Sequence, residues 1–243
     1  ECPAHDDSFE KVNRAMSRTH QWADRCRKCQ KRSDQALYAI VQGGIFPQLR
    51  RQSAEYLTSL DFPGYAIGGL SLGEPKRVTL AMVEETAALL PENKPRYLMG
   101  VGSPEDLLES VARGVDMFDS ALPTRVARNG ALFTWQGRHN IRNTAYSQME
   151  EPIVLGCDCY TCRTFSAAYL HHLFNCNELL AYRLATIHNL SFINSLMHKI
   201  RSAIINGTFS SFRDNFLASY QPTDERIRLN QKQKWLKSRT SNQ

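Results

Sequence analysis

The spacing of apolar residues changes character several times along the chain. Residues 8–33 place Val12, Met16, His20 and Ala23 on one stripe with Lys and Arg between them, which predicts an amphipathic helix. Leu37–Gln42 is then a short, nearly continuous apolar run, as expected of a strand buried on both faces. Gly43-Gly44 ends it, and a helical spacing runs from Pro47 to about Leu60. The same unit recurs. Gly64–Gly69 reads as a strand and Pro75–Leu90 as a helix; Arg96–Gly100 reads as a strand and Pro104–Arg113 as a helix; Val115–Phe118 is a fourth strand. Strands separated by helices predict a parallel sheet, because a parallel crossover needs a long connection.

After Pro123 the pattern is different. Leu132–Trp135 with Gly137 and Arg138 predicts a short hairpin. Residues 155–176 are rich in cysteine. Residues 177–204 form a long apolar-periodic helix carrying Leu179, Leu180, Leu184, Ile187, Phe192, Leu196 and Ile200, and residues 208–220 a last amphipathic helix. The tail from Gln221 is polar and basic, with Lys232, Lys234, Lys237 and Arg239, and is expected to be a solvated terminus.

Composition narrows the classes. The 243 residues suit one large domain or one with a small satellite, and 42% hydrophobic with 22% charged residues excludes global disorder. No apolar run approaches the roughly 18 residues of a membrane span, so no membrane partner is expected. No signal-like segment follows Glu1. A net charge of +6 permits a polyanionic partner without requiring one. Seven cysteines, three of them within six residues, do not suggest a secreted disulfide framework; a reducing, cytoplasmic setting and a metal are expected.

In parallel α/β folds the chemistry lies beyond the carboxyl ends of the strands. Here those ends carry Gln42-Gly43-Gly44, Gly68-Gly69-Leu70, Gly100-Val101-Gly102 and Asp119-Ser120. Four strand–helix units are about half of an eight-stranded barrel, which typically takes about 250 residues. The chain opens on a helix and its α/β rhythm ends near residue 120. The expected fold is therefore α/β: the C-terminal portion of a (β/α)8 TIM barrel with a zinc-binding helical subdomain, the front of the barrel lying outside this sequence. The expected organisation is barrel over 1–145, zinc-binding subdomain over 146–204, and a terminal helix and basic tail over 205–243.

Cys157-x-Cys159-x-x-Cys162 puts three thiols on one tight turn, and zinc takes four such soft or borderline ligands in a tetrahedron. His171, His172, Cys176 and His188 are all candidates for the fourth, and local spacing does not choose between them. With four protein ligands the site is closed and structural. A second candidate is Asp119, a carboxylate leaving a buried strand, where it can serve as nucleophile, base or clamp. Asp116 is expected to point elsewhere. Arg125 and Arg128 stand three apart in what reads as a loop bounded by Pro123 and Gly130; guanidinium forks match phosphates and base edges.

Taken together, several strings resemble the bacterial-type tRNA-guanine transglycosylases. They are Val41-Gln42-Gly43-Gly44, Ile67–Glu74 (IGGLSLGE), Tyr97–Gly102 (YLMGVG), Phe118–Arg125 (FDSALPTR), Arg128-Asn129-Gly130, and the three-cysteine knuckle with a distant histidine. The resemblance implies an enzyme of queuosine biosynthesis, a tRNA-ribosyltransferase. It would replace the wobble guanine of a tRNA with a GUN anticodon by a 7-deazaguanine (preQ1), through a covalent ribosyl–aspartate intermediate. It implies Asp119 as nucleophile, and Gln42, Gly69, Leu70 and Leu72 around the base, with bulky Leu72 favouring a small 7-substituent. It implies RNA contacts from Gly100, Val101, Gly102, Ser103, Pro104, Glu105 and Asp106, and from Thr124, Arg125, Val126, Ala127 and Arg128. It also implies one structural Zn2+ held by Cys157, Cys159, Cys162 and His188, and a homodimer formed through Phe165, Tyr169 and His172. The family's general-base and guanine-reading aspartates are expected outside this chain, so the 243 residues alone are expected to turn over little. Ser120 stands where many members carry Cys. The alternatives are a non-catalytic, zinc-stabilised RNA-binding partner subunit of the same family and, less favoured, its archaeosine-forming relative.

Overall fold

The computed structural model describes residues 1–222; the basic tail residues Lys232, Lys234, Lys237 and Arg239 lie outside the described residues. The chain falls into two compact units that meet between Leu122 and Pro123.

The first unit opens with helix α1 (Phe9–Cys29). Ser8 caps its N-terminus by accepting from the Lys11 amide, and Arg27 and Lys28 occupy its last turn, where cations suit the helix dipole. Its buried stripe is Val12, Ala15, Met16 and Thr19. Four short strands follow: β1 (Ala39–Val41), β2 (Tyr65–Ile67), β3 (Arg96–Leu98) and β4 (Met117–Phe118). They pair in chain order, every pair parallel, as the alternation of strands and helices predicts. The crossovers are α2 (Pro47–Ser59), α3 (Lys76–Ala88) and α4 (Pro104–Val111). Pro47 and Pro104 begin two of them, at a position where a proline costs no hydrogen bond. Val41, Ile67 and Leu98 sit at equivalent registers in one core with Leu57, Val83 and Val115.

The second unit differs from the sequence reading in two places. Residues 122–128, read as a loop, are helix α5 (Leu122–Arg128). Pro123 falls in its first turn, where it is tolerated, and the Ser120 hydroxyl takes the Leu122 amide. The sequence reading drew its first boundary after residue 145, whereas the units part at Leu122. The physical cause is the hairpin β5 (Ala131–Thr134) and β6 (Gly137–Asn140), which is fastened to the long helix α8 (Leu179–Ile205). Asn189 of α8 accepts from the Phe133 amide and donates to the carbonyls of Pro123 and Ala131, all at 3.0 Å.

Helices α6 (Tyr160–Thr164), α7 (Ala167–Asn175) and α9 (Phe209–Ser219) complete the unit. Ser166 caps α7, and the Thr161 hydroxyl of α6 donates to the Leu184 carbonyl of α8. The core runs through Leu132, Ile141, Leu170, Phe174 and Leu184. The buried stripe of α8 includes Leu184, Phe192, Leu196 and Ile200, but Leu179 and Leu180, read as part of it, are exposed in its first turn.

Candidate active site and metal centre

The parallel order of the first unit brings the C-terminal ends of all four strands to one edge of the sheet. Asp119 directly follows β4, and its Oδ1 accepts from the Tyr97 hydroxyl at 2.6 Å and from the Gly100 amide at 2.8 Å. The carboxylate is therefore turned towards the end of β3. The Tyr97 hydroxyl first, and then the Gly100 amide, hold its pKa below the ordinary carboxylate value. Tyr97 moves the opposite way, pushed up to about 12 by burial and then by the adjoining carboxylate. Asp119 is exposed, so this is an ionised group open to a ligand, with Oδ2 engaged by neither donor. Asp116 turns elsewhere, as expected, accepting from the Arg96 amide.

Gln42, at the end of β1, is only 4% exposed, and its amide oxygen is buried with no hydrogen-bond partner among the described residues. An unpaired buried acceptor is costly in a native fold and commonly marks a place where a ligand completes the hydrogen bonding. The backbone of Gly69 passes against it: a Cβ on Gly69 would lie 2.3 Å from Gln42 Oε1, and Gly69 has φ +68°, so only glycine fits. Leu70 is buried and Leu72 exposed. The loop that carries Leu72 is tied down by Glu74, whose carboxylate accepts from the amides of Ser71 and Leu72 and from the Thr79 hydroxyl.

The strand-end loop after β3 is tightly built. A Cβ on Gly102 would meet Ser120 Cβ at 2.3 Å. Gly100 is exposed, Val101, Gly102 and Pro104 are buried, and Ser103 donates to Asp106. Asp106 and Glu105 both face Lys76. On α5, Arg125 and Arg128 are exposed three residues apart and so share a face, Thr124 is half-buried, and Val126 and Ala127 are buried.

Sequence reasoning missed Tyr97 as the partner of Asp119, and it missed Arg50 and Ser53. The latter two lie on α2 in the same buried stripe as Leu49, Ala54 and Leu57, and both are fully buried. Polar residues on an apolar helical stripe were the available signal.

In the second unit, Cys157, Cys159, Cys162 and His188 converge, their ligand atoms all within 4.8 Å of one another. His188 Nδ1 lies 4.0, 3.7 and 3.3 Å from the three sulfurs in that order. A tetrahedral zinc with ordinary bond lengths separates such a nitrogen and sulfur by roughly 3.6 Å. The distances bracket that value. His188 Nε2 donates to the Phe133 carbonyl at 2.8 Å, which fixes the tautomer and leaves the Nδ1 lone pair aimed at the thiols.

The other candidates for the fourth ligand are accounted for. His171 is engaged at both nitrogens, by the Ile141 carbonyl and by Asn175, while His172 stands beside exposed Cys176. Protons alone satisfy the cluster unevenly. A hydrogen bond from Cys162 holds Cys159 down to about 3, and the same contact, with burial, pushes Cys162 up. Burial opposes charge on His188, but the Cys157 and Cys159 sulfurs outweigh it and raise it to about 9. The donor set and its spacing fit a metal ion such as zinc.

Residues 1–222 match the family model described as queuine tRNA-ribosyltransferase. The chain belongs to that family. It is 63% identical over 236 residues to a queuine tRNA-ribosyltransferase of Dehalococcoides mccartyi, covering 97% of this chain and 60% of the relative. Over 228 residues it is 54% identical to the queuine tRNA-ribosyltransferase of Herpetosiphon aurantiacus, covering 94% and 58% respectively. Over 220 residues it is 53% identical to that of Halothermothrix orenii, covering 90% and 59%. The chain thus spans about 60% of the length of these curated relatives. Among the described residues no helix is long and apolar enough to cross a membrane.

Proposed function

We propose that this chain is the part of a tRNA-guanine transglycosylase that carries the nucleophile, one wall of the base pocket and a structural zinc. The activity belongs to a chain of its relatives' length, whose preceding segment supplies the rest of a (β/α)8 barrel together with the general base. The substrates are a tRNA with a GUN anticodon and preQ1. The single observation that carries this reading is the paired, ionised Asp119 carboxylate at the strand-end edge of the sheet, in a chain of this family.

The reaction is a double displacement. A carboxylate oxygen of Asp119 bonds to C1′ of the wobble ribose while the C1′–N9 bond breaks, and guanine leaves after gaining a proton. N9 of the incoming base then attacks C1′ as its proton passes to the general base of the preceding segment, the Asp119 ester bond breaks, and the second inversion restores the original configuration. The nucleotide must leave its stack to be reached. The low pKa of Asp119 keeps it anionic at neutral pH, and the Oδ1 pairings leave Oδ2 as the attacking atom. Gln42 Oε1 accepts from the purine edge, and the Gly69 amide donates to its carbonyl, with Leu70 and Leu72 beside them. The loop Gly100–Asp106 and helix residues Thr124–Arg128 contact RNA. Buried Val126 and Ala127 take part through backbone only, and Arg125 and Arg128 through their guanidiniums.

Zinc, held by Cys157, Cys159, Cys162 and His188, would cross-link α6, α8 and the preceding turn, and its binding would be part of the folding of that unit. Exposed Tyr160 and Tyr169 flank half-buried Phe165, Tyr169 stacked on it and Tyr160 edge-on, in an aromatic patch that serves as the homodimer contact with His172.

The test is covalent trapping. The full-length enzyme is incubated with substrate tRNA and resolved on a denaturing gel, with Asp119→Asn beside the wild type. A shifted protein–RNA band is expected only for the wild type. A band that survives the substitution removes Asp119 from its role.

A further inference from the structure

Among the described residues Arg50 is the largest fully buried side chain, and no carboxylate hydrogen-bonds it. Its Nε donates to the Gly44 carbonyl at 2.8 Å and its Nη2 to the Gly68 carbonyl at 3.0 Å. These carbonyls belong to two different turns, one after β1 and one after β2. Burial pushes the guanidinium down to about 10, with Glu74 partly opposing it, so it remains charged at neutral pH. One turn of α2 later, Ser53 Oγ accepts from the Gln42 amide at 3.2 Å and lies 3.0 Å from His20 Nε2. The approach is close as well: a Cβ on Gly43 would lie 2.7 Å from the Arg50 amide nitrogen.

A buried cation whose hydrogen bonds go to neutral carbonyls, with Glu74 acting on it through charge alone, is an expensive way to fill a core, and an apolar side chain of similar volume would cost less. What it supplies is a rigid, two-pronged fork that ties two backbone segments together at a fixed spacing. The segments are those that present Gln42 and Gly69.

We infer that Arg50 is a positioning residue for the purine site: with Ser53 it fixes the Gln42–Gly44 and Gly68–Gly69 turns so that their polar groups meet one base at once. The inference rests on the base-site reading proposed above. It goes further in assigning the preorganisation to the face of α2 behind the pocket, through residues that touch no substrate.

The test is equilibrium dialysis of the full-length enzyme against radiolabelled guanine, with thermal melting measured on the same samples. Arg50→Met is expected to bind about tenfold more weakly or worse, and Arg50→Lys, which keeps the charge but can reach only one carbonyl, to fall between Met and the wild type. Should Arg50→Met fail to fold, Ser53→Ala carries the test, with an expected loss of about fivefold in a folded protein. Folded variants that bind guanine within twofold of the wild type overturn the positioning role while leaving the base site in place. A full-length wild type that shows no guanine binding overturns the base-site reading itself, and the inference with it.

Discussion

Asn189 offers the sharpest quantitative test of how the second unit is held together. It is fully buried, and its side-chain amide makes three hydrogen bonds, to the Phe133 amide and to the Pro123 and Ala131 carbonyls. Asn189→Ala strands a buried N–H and removes a donor from two carbonyls. An orphaned buried group costs roughly 1–3 kcal/mol, with carbonyls at the low end because their second lone pair can be served elsewhere. The sum is about 3–4 kcal/mol. For a unit of this size each kcal/mol moves the melting temperature by about 4–8 °C, so a fall of roughly 12–32 °C is expected. The assay is thermal melting followed by near-ultraviolet circular dichroism, where Trp135, packed against Phe192 at 4.8 Å between ring centroids, reports on this unit. Asn194→Ala, on the exposed face of the same helix, is the control and should stay within about 4 °C. If Asn189→Ala melts as close to the wild type as the control, the hairpin is not fastened by this side chain.

Three further outcomes are expected. Metal analysis should give one zinc per chain, released by chelator or by mild acid as protons compete for the thiolates and imidazole, and lost in Cys159→Ser; a folded, metal-free chain contradicts the closed site. The Asp119 carboxyl, followed by carbon NMR, should titrate below its ordinary value of 3.8, and Tyr97→Phe should bring it back towards that value. Because the folded pKa is the lower one, this group adds stability above the ordinary carboxylate range and loses it as pH falls through the folded midpoint. An unmoved midpoint in Tyr97→Phe rules out the hydroxyl as the cause. Gly102→Ala should destabilise the first unit by about 1–3 kcal/mol, since its methyl would overlap Ser120; unchanged melting would mean that the loop yields freely.

The strand–helix rhythm of the first unit was legible because each strand is a dense apolar run and each helix has its own stripe. Helix α5 was not, because Pro123 and Gly130 punctuate it as they would a loop, and only its packing distinguishes the two. The three cysteines and Asp119 stood out by residue type and position. Their partners did not: Tyr97 lies within an ordinary-looking strand, and Phe133 serves through a carbonyl that every residue has. Arg50, Ser53 and Asn189 share one cause. Each is a polar residue on an apolar helical stripe, easily read as interrupting the pattern when it is in fact the pattern's point of attachment.

The pairing of β3 with β4 has a consequence for quality control. Only two residue pairs, Tyr97 with Met117 and Leu98 with Phe118, set this alignment, and the phenol that grips Asp119 comes from one of them. Sliding β4 by a single residue would reverse the direction of every side chain along it and part the acid from its phenol. A chain assembled out of step is thereby disarmed rather than misdirected, so the competence of the nucleophile certifies that the last strand was laid down correctly.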